Sequence, residues 1–164
     1  MHSNIDGFSS CWDACEHVCS ANNPAPPVQS ALIRTYSSFA FKYGRVEVRA
    51  KLPRGDWLWP AIWMMPKTGS YGGWPRSGEI DIMESRGNEN LYNGAGQNIG
   101  VQEFGSTLHF GTESWNSASW AAHLSKRNGN GWHRAFHSYK MEWAPSNDFK
   151  IVHWNILLLI LFLF

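Results

Sequence analysis

Cysteine is nearly missing from this 164-residue chain: Cys11, Cys15 and Cys19 are the only three, all in one short stretch. A network of disulfides through the fold is therefore excluded. Their i, i+4, i+8 spacing has no paired second half and does not match the common zinc spacings. A local disulfide with one leftover thiol is the expected arrangement, and an odd count also fits a fragment. Charge is sparse as well, 16% of residues with a formal net of +1. No basic run stands out, so nucleic acid is not the expected partner. No basic stretch leading into an apolar one opens the chain as a secretion signal would. The apolar run from Ile156 to Phe164 has nine residues, far short of the ~20 that a membrane-spanning helix needs. No Asn-x-Ser/Thr sequon occurs, and no convincing 3.6-residue period argues for a helical domain.

What is present is aromatic. Ten tryptophans and a 15% aromatic share fit either a Trp-rich core or a groove in which sugar C–H faces stack on indole rings. Composition alone leaves both open. The order of the chain is that of an all-β protein. Residues 1–30 are polar and irregular, ending in Asn23-Pro24-Ala25-Pro26-Pro27. Period-2 alternation then recurs. Val46, Val48, Ala50 and Leu52 alternate with Arg45, Glu47, Arg49 and Lys51, and Tyr139, Met141 and Trp143 with Lys140 and Glu142. Phe149 to Trp154 is a further candidate strand. Gly- and Asn-rich turns at 69–73, 87–100 and 128–131 separate such segments. Short strands with Gly-rich loops predict an antiparallel sandwich or barrel in one domain.

The chemistry concentrates in Ser77-Gly78-Glu79-Ile80-Asp81-Ile82-Met83-Glu84-Ser85. Strand residues alternate faces, so Ile80 and Ile82 take the core and Glu79 and Asp81 the opposite side. An unbroken strand would then bury Glu84, at a cost of several kcal/mol or of protonation. A β-bulge near Ile82–Met83 removes that cost, returning Glu84 to the acid face and Met83 to the core. Three acids on one face repel one another, so the cluster predicts acid–base chemistry or a hard-cation site such as calcium. In the acid–base case Glu79 is the nucleophile. Glu84, protonated because like charges raise its pKa, is the acid/base. Asp81, between them, shares a proton or hydrogen-bonds the nucleophile.

The segment Trp74-Pro75-Arg76-Ser77-Gly78-Glu79-Ile80-Asp81-Ile82-Met83-Glu84-Ser85-Arg86-Gly87-Asn88 resembles the active-site segment of glycoside hydrolase family 16, in its animal branch of laminarinases and β-1,3-glucan-binding proteins. Pro27 to Thr35, Phe41 to Pro53, Gly55 to Met64 and Ser106 to Gly111 are similar to the same branch, in the same order. The resemblance implies an antiparallel β-jelly-roll sandwich of concanavalin A-like form, with a cleft across its concave sheet. It also implies endo-hydrolysis of β-1,3-linked glucan with retention, Glu79, Asp81 and Glu84 standing at the matching catalytic positions. Animal members divide into hydrolases and recognition proteins that have replaced catalytic acids; all three acids stand here. Trp59, Trp63 and Trp74 are the expected sugar contacts, and His109 matches a family histidine that reaches the cleft. Phe110 stands where related proteins usually carry Trp.

No cofactor and no metal ligand is assigned, although calcium occurs in the family. The expected partner is a β-glucan polysaccharide, the expected state a monomer, and the expected location extracellular, as for the relatives. The domain is expected to be incomplete at both ends. Residues 1–23 form an irregular segment, 24–154 a partial family domain and 155–164 an apolar tail foreign to it. A sandwich lacking strands leaves open edges and apolar surface, which favours aggregation.

Overall fold

The computed structural model describes the backbone of residues 2–3, 31–145 and 149–153, and side chains from 33 to 145. The cysteines and the 155–164 tail, with the expectations attached to them, lie outside the described residues. The chain divides between Arg34 and Thr35 into two compact units. In the first, β1 (His2–Ser3) pairs antiparallel with β2 (Ala31–Leu32). His2 and Ser3 are thus strand, where composition predicts irregular chain; a backbone partner supplies what the side-chain pattern does not.

The second unit contains β3 (Gly44–Ala50), β4 (Ala61–Met64), β5 (Glu79–Ser85), β6 (Glu103–His109), β7 (His123–Arg127), β8 (His137–Trp143) and β9 (Phe149–His153). They form two antiparallel sheets, β3-β8-β9 and β4-β5-β6-β7. The alternation read in β3 and β8 is realised, with Val46, Val48 and Ala50 turned toward the core and Arg45, Glu47 and Arg49 exposed. On the exposed side the register sets Glu47 opposite Lys140, and Lys140 Nζ lies 2.7 Å from Glu47 Oε1. Opposite charges paired across strands are the sheet's local reinforcement.

The core lies between the two sheets. Tyr139 and Met141 from β8 meet Ile62 and Met64 from β4, Ile82 and Met83 from β5 and Phe104 from β6. Phe104 packs edge-on against Trp132 and Tyr139, with ring centroids 4.8 and 5.4 Å apart. Such tilted pairs add stability beyond the area they bury.

The bulge expected in β5 is present. Against β6, Asp81 pairs with Thr107 and Glu84 with Gly105, so Ile82 and Met83 together face the single residue Ser106. Against β4 the slip falls between Ile62, opposite Met83, and Trp63, opposite Asp81. Both bulge residues are buried in the core. Ser106 Oγ donates to the Ile82 carbonyl at 2.5 Å, which occupies an acceptor where the ladder is broken.

Candidate active site

Sheet β4-β5-β6-β7 turns one face to the core, and its other face carries the acids. The bulge determines which residues share that face: Glu79, Asp81 and Glu84 from one strand. Gly78, at φ +86°, launches the strand from a backbone region that favours glycine. From β4 comes Trp63, opposite Asp81 and on the side away from Ile62 and Met64. From β6 come Thr107 and His109, and from β7 comes His123, paired with Thr107.

Each glutamate is held by an indole. Trp74 Nε1 donates to Glu79 Oε2. Trp59 Nε1 donates to Glu84 Oε1 at 3.0 Å. These two tryptophans also keep much of their surface open, 45% exposed for Trp74 and 56% for Trp59. The residues expected to touch sugar thus also position the acids. Trp74 leans against His109 with ring centroids 5.6 Å apart. The Arg86 guanidinium lies 4.8 Å over the Trp59 ring, a cation–π contact that occupies one face of that indole.

Asp81 differs from its neighbours in burial: it is 1% exposed. His109 Nε2 stands 2.8 Å from its Oδ2. Neither Asp81 oxygen has a hydrogen-bond partner of good geometry as an ionised acceptor. Burial, first, and the charges of Glu84 and Glu79, second, push the Asp81 carboxyl up to about 9. A protonated Asp81 becomes a donor, and the group it reaches is Glu79. Glu79 is itself raised, by burial above all, while the Trp74 indole, the His109 charge and the Asp81 hydrogen bond oppose that rise. The arrangement can therefore keep one proton on Asp81 and a carboxylate on Glu79. This is a pairing of one neutral and one ionised acid.

Several residues around the site have no signal in the sequence. Arg86 is adjacent to the acid segment but becomes meaningful only through the Trp59 ring. His123 arrives across the 110–122 connection; its Nδ1 is 2.8 Å from Thr107 Oγ1. A Cβ on Gly105 would stand 2.6 Å from the His123 ring, so that ring lies over the glycine opposite Glu84. Trp59, Glu84, Arg86, Asn93, Glu103 and His123 line a small recess of ≈ 150 Å³ beside Glu84. Phe110, by contrast, lies with Phe41, Ile80, Leu108 and Trp143 along an apolar recess of ≈ 450 Å³.

Comparison with known proteins gives a consistent picture. A family model for glycosyl hydrolases family 16 matches residues 24–152. A β-1,3-glucan-binding protein of Penaeus monodon is 47% identical over 134 residues, covering 81% of this chain and 35% of that protein. A glucan endo-1,3-β-glucosidase of Cryptopygus antarcticus is 37% identical over 126 residues, covering 76% of this chain and 41% of that protein. The laminarinase catalytic domain of Thermotoga maritima superposes with a TM-score of 0.58 at 26% identity, covering 84% of this chain and 53% of that one. The chain thus spans about a third to two fifths of the length of these two relatives.

Proposed function

Since the chain belongs to glycosyl hydrolases family 16, with the antiparallel jelly-roll sandwich of its laminarinase neighbours, we propose that it performs retaining endo-hydrolysis of β-1,3-glucan. The observation that carries this reading is the bulged strand β5. It sets Glu79, Asp81 and Glu84 on one face, with a separate indole donor on each glutamate.

The roles follow from the environments. Glu79, kept ionised by donors from Trp74 and protonated Asp81, attacks the anomeric carbon. The bond to the leaving oxygen breaks, and Glu84 gives that oxygen its proton. Water then attacks the glycosyl-enzyme, Glu84 takes back a proton, and Glu79 is released. Trp59, Trp63 and Trp74 present indole surface beside the acids for sugar stacking, and His109 supports Asp81. The substrate class is a laminarin-type polysaccharide and the location extracellular, both supported by the family. Among the described residues no helix is long and apolar enough to cross a membrane.

A second reading, glucan recognition without turnover, is favoured by the 47% identity to a glucan-binding protein. Incubation of the purified chain with laminarin separates the two. Hydrolysis is expected to release reducing ends, and Glu79→Gln to lower that release by ~10³-fold or more, the scale of losing a covalent nucleophile. Binding without release would favour recognition, and unchanged release by Glu79→Gln would remove Glu79 from its role.

A further inference from the structure

The buried carboxyl of Asp81 is the least satisfied group on the acid face. It is 1% exposed, neither oxygen accepts a hydrogen bond of good geometry, and its Oδ2 lies 2.8 Å from His109 Nε2. A buried carboxylate without well-aligned donors calls for a proton or a cation. The surroundings supply two further ligand atoms: one each from Glu79, Asp81 and His109 lie within 4.8 Å of one another.

We propose that Glu79, Asp81 and His109 form a binding site for a borderline divalent transition-metal ion of the zinc type, and that its occupation excludes glucan hydrolysis. The donor set argues for that class of ion. An imidazole nitrogen with two carboxylates suits zinc and its neighbours, whereas calcium and magnesium take oxygen ligands. At the tetrahedral angle, bonds of about 2.0–2.2 Å set two ligands of one ion ~3.3–3.6 Å apart. From separations of up to 4.8 Å the set closes when its ligand atoms draw together by roughly 1–1.5 Å, within reach of a rotation of the Glu79 side chain, the longest of the three. Three protein ligands leave a fourth position for water, as in open zinc sites. Asp81 and His109 are held by the two central strands β5 and β6, so two of the three ligands are already in place.

The consequence for turnover rests on the reading of Glu79 as the nucleophile; the binding itself does not. An ion on the Glu79 oxygen occupies the lone pair that attacks the anomeric carbon. The metal acts here as an occupant that blocks the reaction and plays no part in it.

The two claims are tested separately on the full chain. Co²⁺, a spectroscopic substitute for Zn²⁺, is titrated in the absence of glucan, and its visible absorption and binding heat are followed. One saturable site is expected. His109→Gln should weaken it at least ~10-fold, as loss of a direct ligand exceeds the effect of disturbing an outer partner. His133→Gln, outside the cluster, should leave it unchanged. Asp81→Asn, which keeps the side chain's size, should weaken it as well and guards against a fold defect in a single variant; thermal melts verify that both variants are folded. No binding by the wild type, or equal binding by folded His109→Gln, would overturn the site. Zn²⁺ is then added to laminarin digests. Inhibition relieved by more glucan and diminished in His109→Gln supports the exclusion, and full activity with the site saturated overturns it. Metal binding in a chain that releases no reducing ends would retain the site while discarding the hydrolase reading.

Discussion

At the residue scale the two indole donors have different consequences. Trp74 is one of the groups that hold the Glu79 carboxyl down against burial. Trp74→Phe keeps the ring and removes the donor, so Glu79 protonates more easily. The acidic limb of the kcat/KM profile is expected to move to higher pH; a limb that stays in place would show that the indole does not act on Glu79. Asp81 makes a prediction about stability. Its carboxyl is raised from 3.8 to about 9, so the folded chain holds a proton that the unfolded chain has released. Folding stability should therefore be greatest at the acid end of that window and fall as pH rises toward about 9. Urea unfolding across the window, with EDTA present, measures the slope. Asp81→Asn should flatten it, and an unchanged slope would locate the effect elsewhere.

At the scale of the element, β5 works because of one slipped register. Two buried residues face Ser106, and the Ser106 hydroxyl takes up the Ile82 carbonyl. Ser106→Ala leaves that carbonyl without its partner inside the sheet, which should cost about 1–3 kcal/mol. Glu84 depends on the same bulge for its direction, so hydrolysis should fall by more than stability loss explains. Chemical denaturation alongside the laminarin assay separates the two effects. Gly105→Ala tests the neighbouring strand: the new Cβ meets the His123 ring at 2.6 Å, so the ring must move and its contact with Thr107 is lost. The proton spectrum of that imidazole should change.

For the whole molecule, stability depends on the interface between a three-stranded and a four-stranded sheet. Met141 is fully buried there, at 0% exposure. Met141→Ala should cost about 2–5 kcal/mol, the range for emptying a core site. A typical domain has only ~5–15 kcal/mol in total, so this variant should melt at a markedly lower temperature by circular dichroism. An unchanged midpoint would mean that the two sheets are not held together through that site. The strand edges are handled in part: every residue of β7 is exposed, and Lys126 and Arg127 place charge on that edge, a device that discourages pairing with other chains.

Alternation alone located β3 and β8, because a half-buried strand must place apolar residues at every second position. The same logic required a bulge before Glu84, since the faces of Ile80 and Ile82 left no other way to keep that acid out of the core. The identity of the three acids, and the need for them to share a face, was therefore determined by the sequence. Tertiary structure decided how each acid is used. Asp81 takes the proton because the sandwich buries it deepest, beside His109 from the next strand. Trp59 and Trp74 became donors to different glutamates, and Arg86 and His123 joined the site, through contacts between segments that no local pattern relates. Burial and cross-strand distance are properties of the packed sheets, and they separate three similar carboxylates on one strand into three different environments.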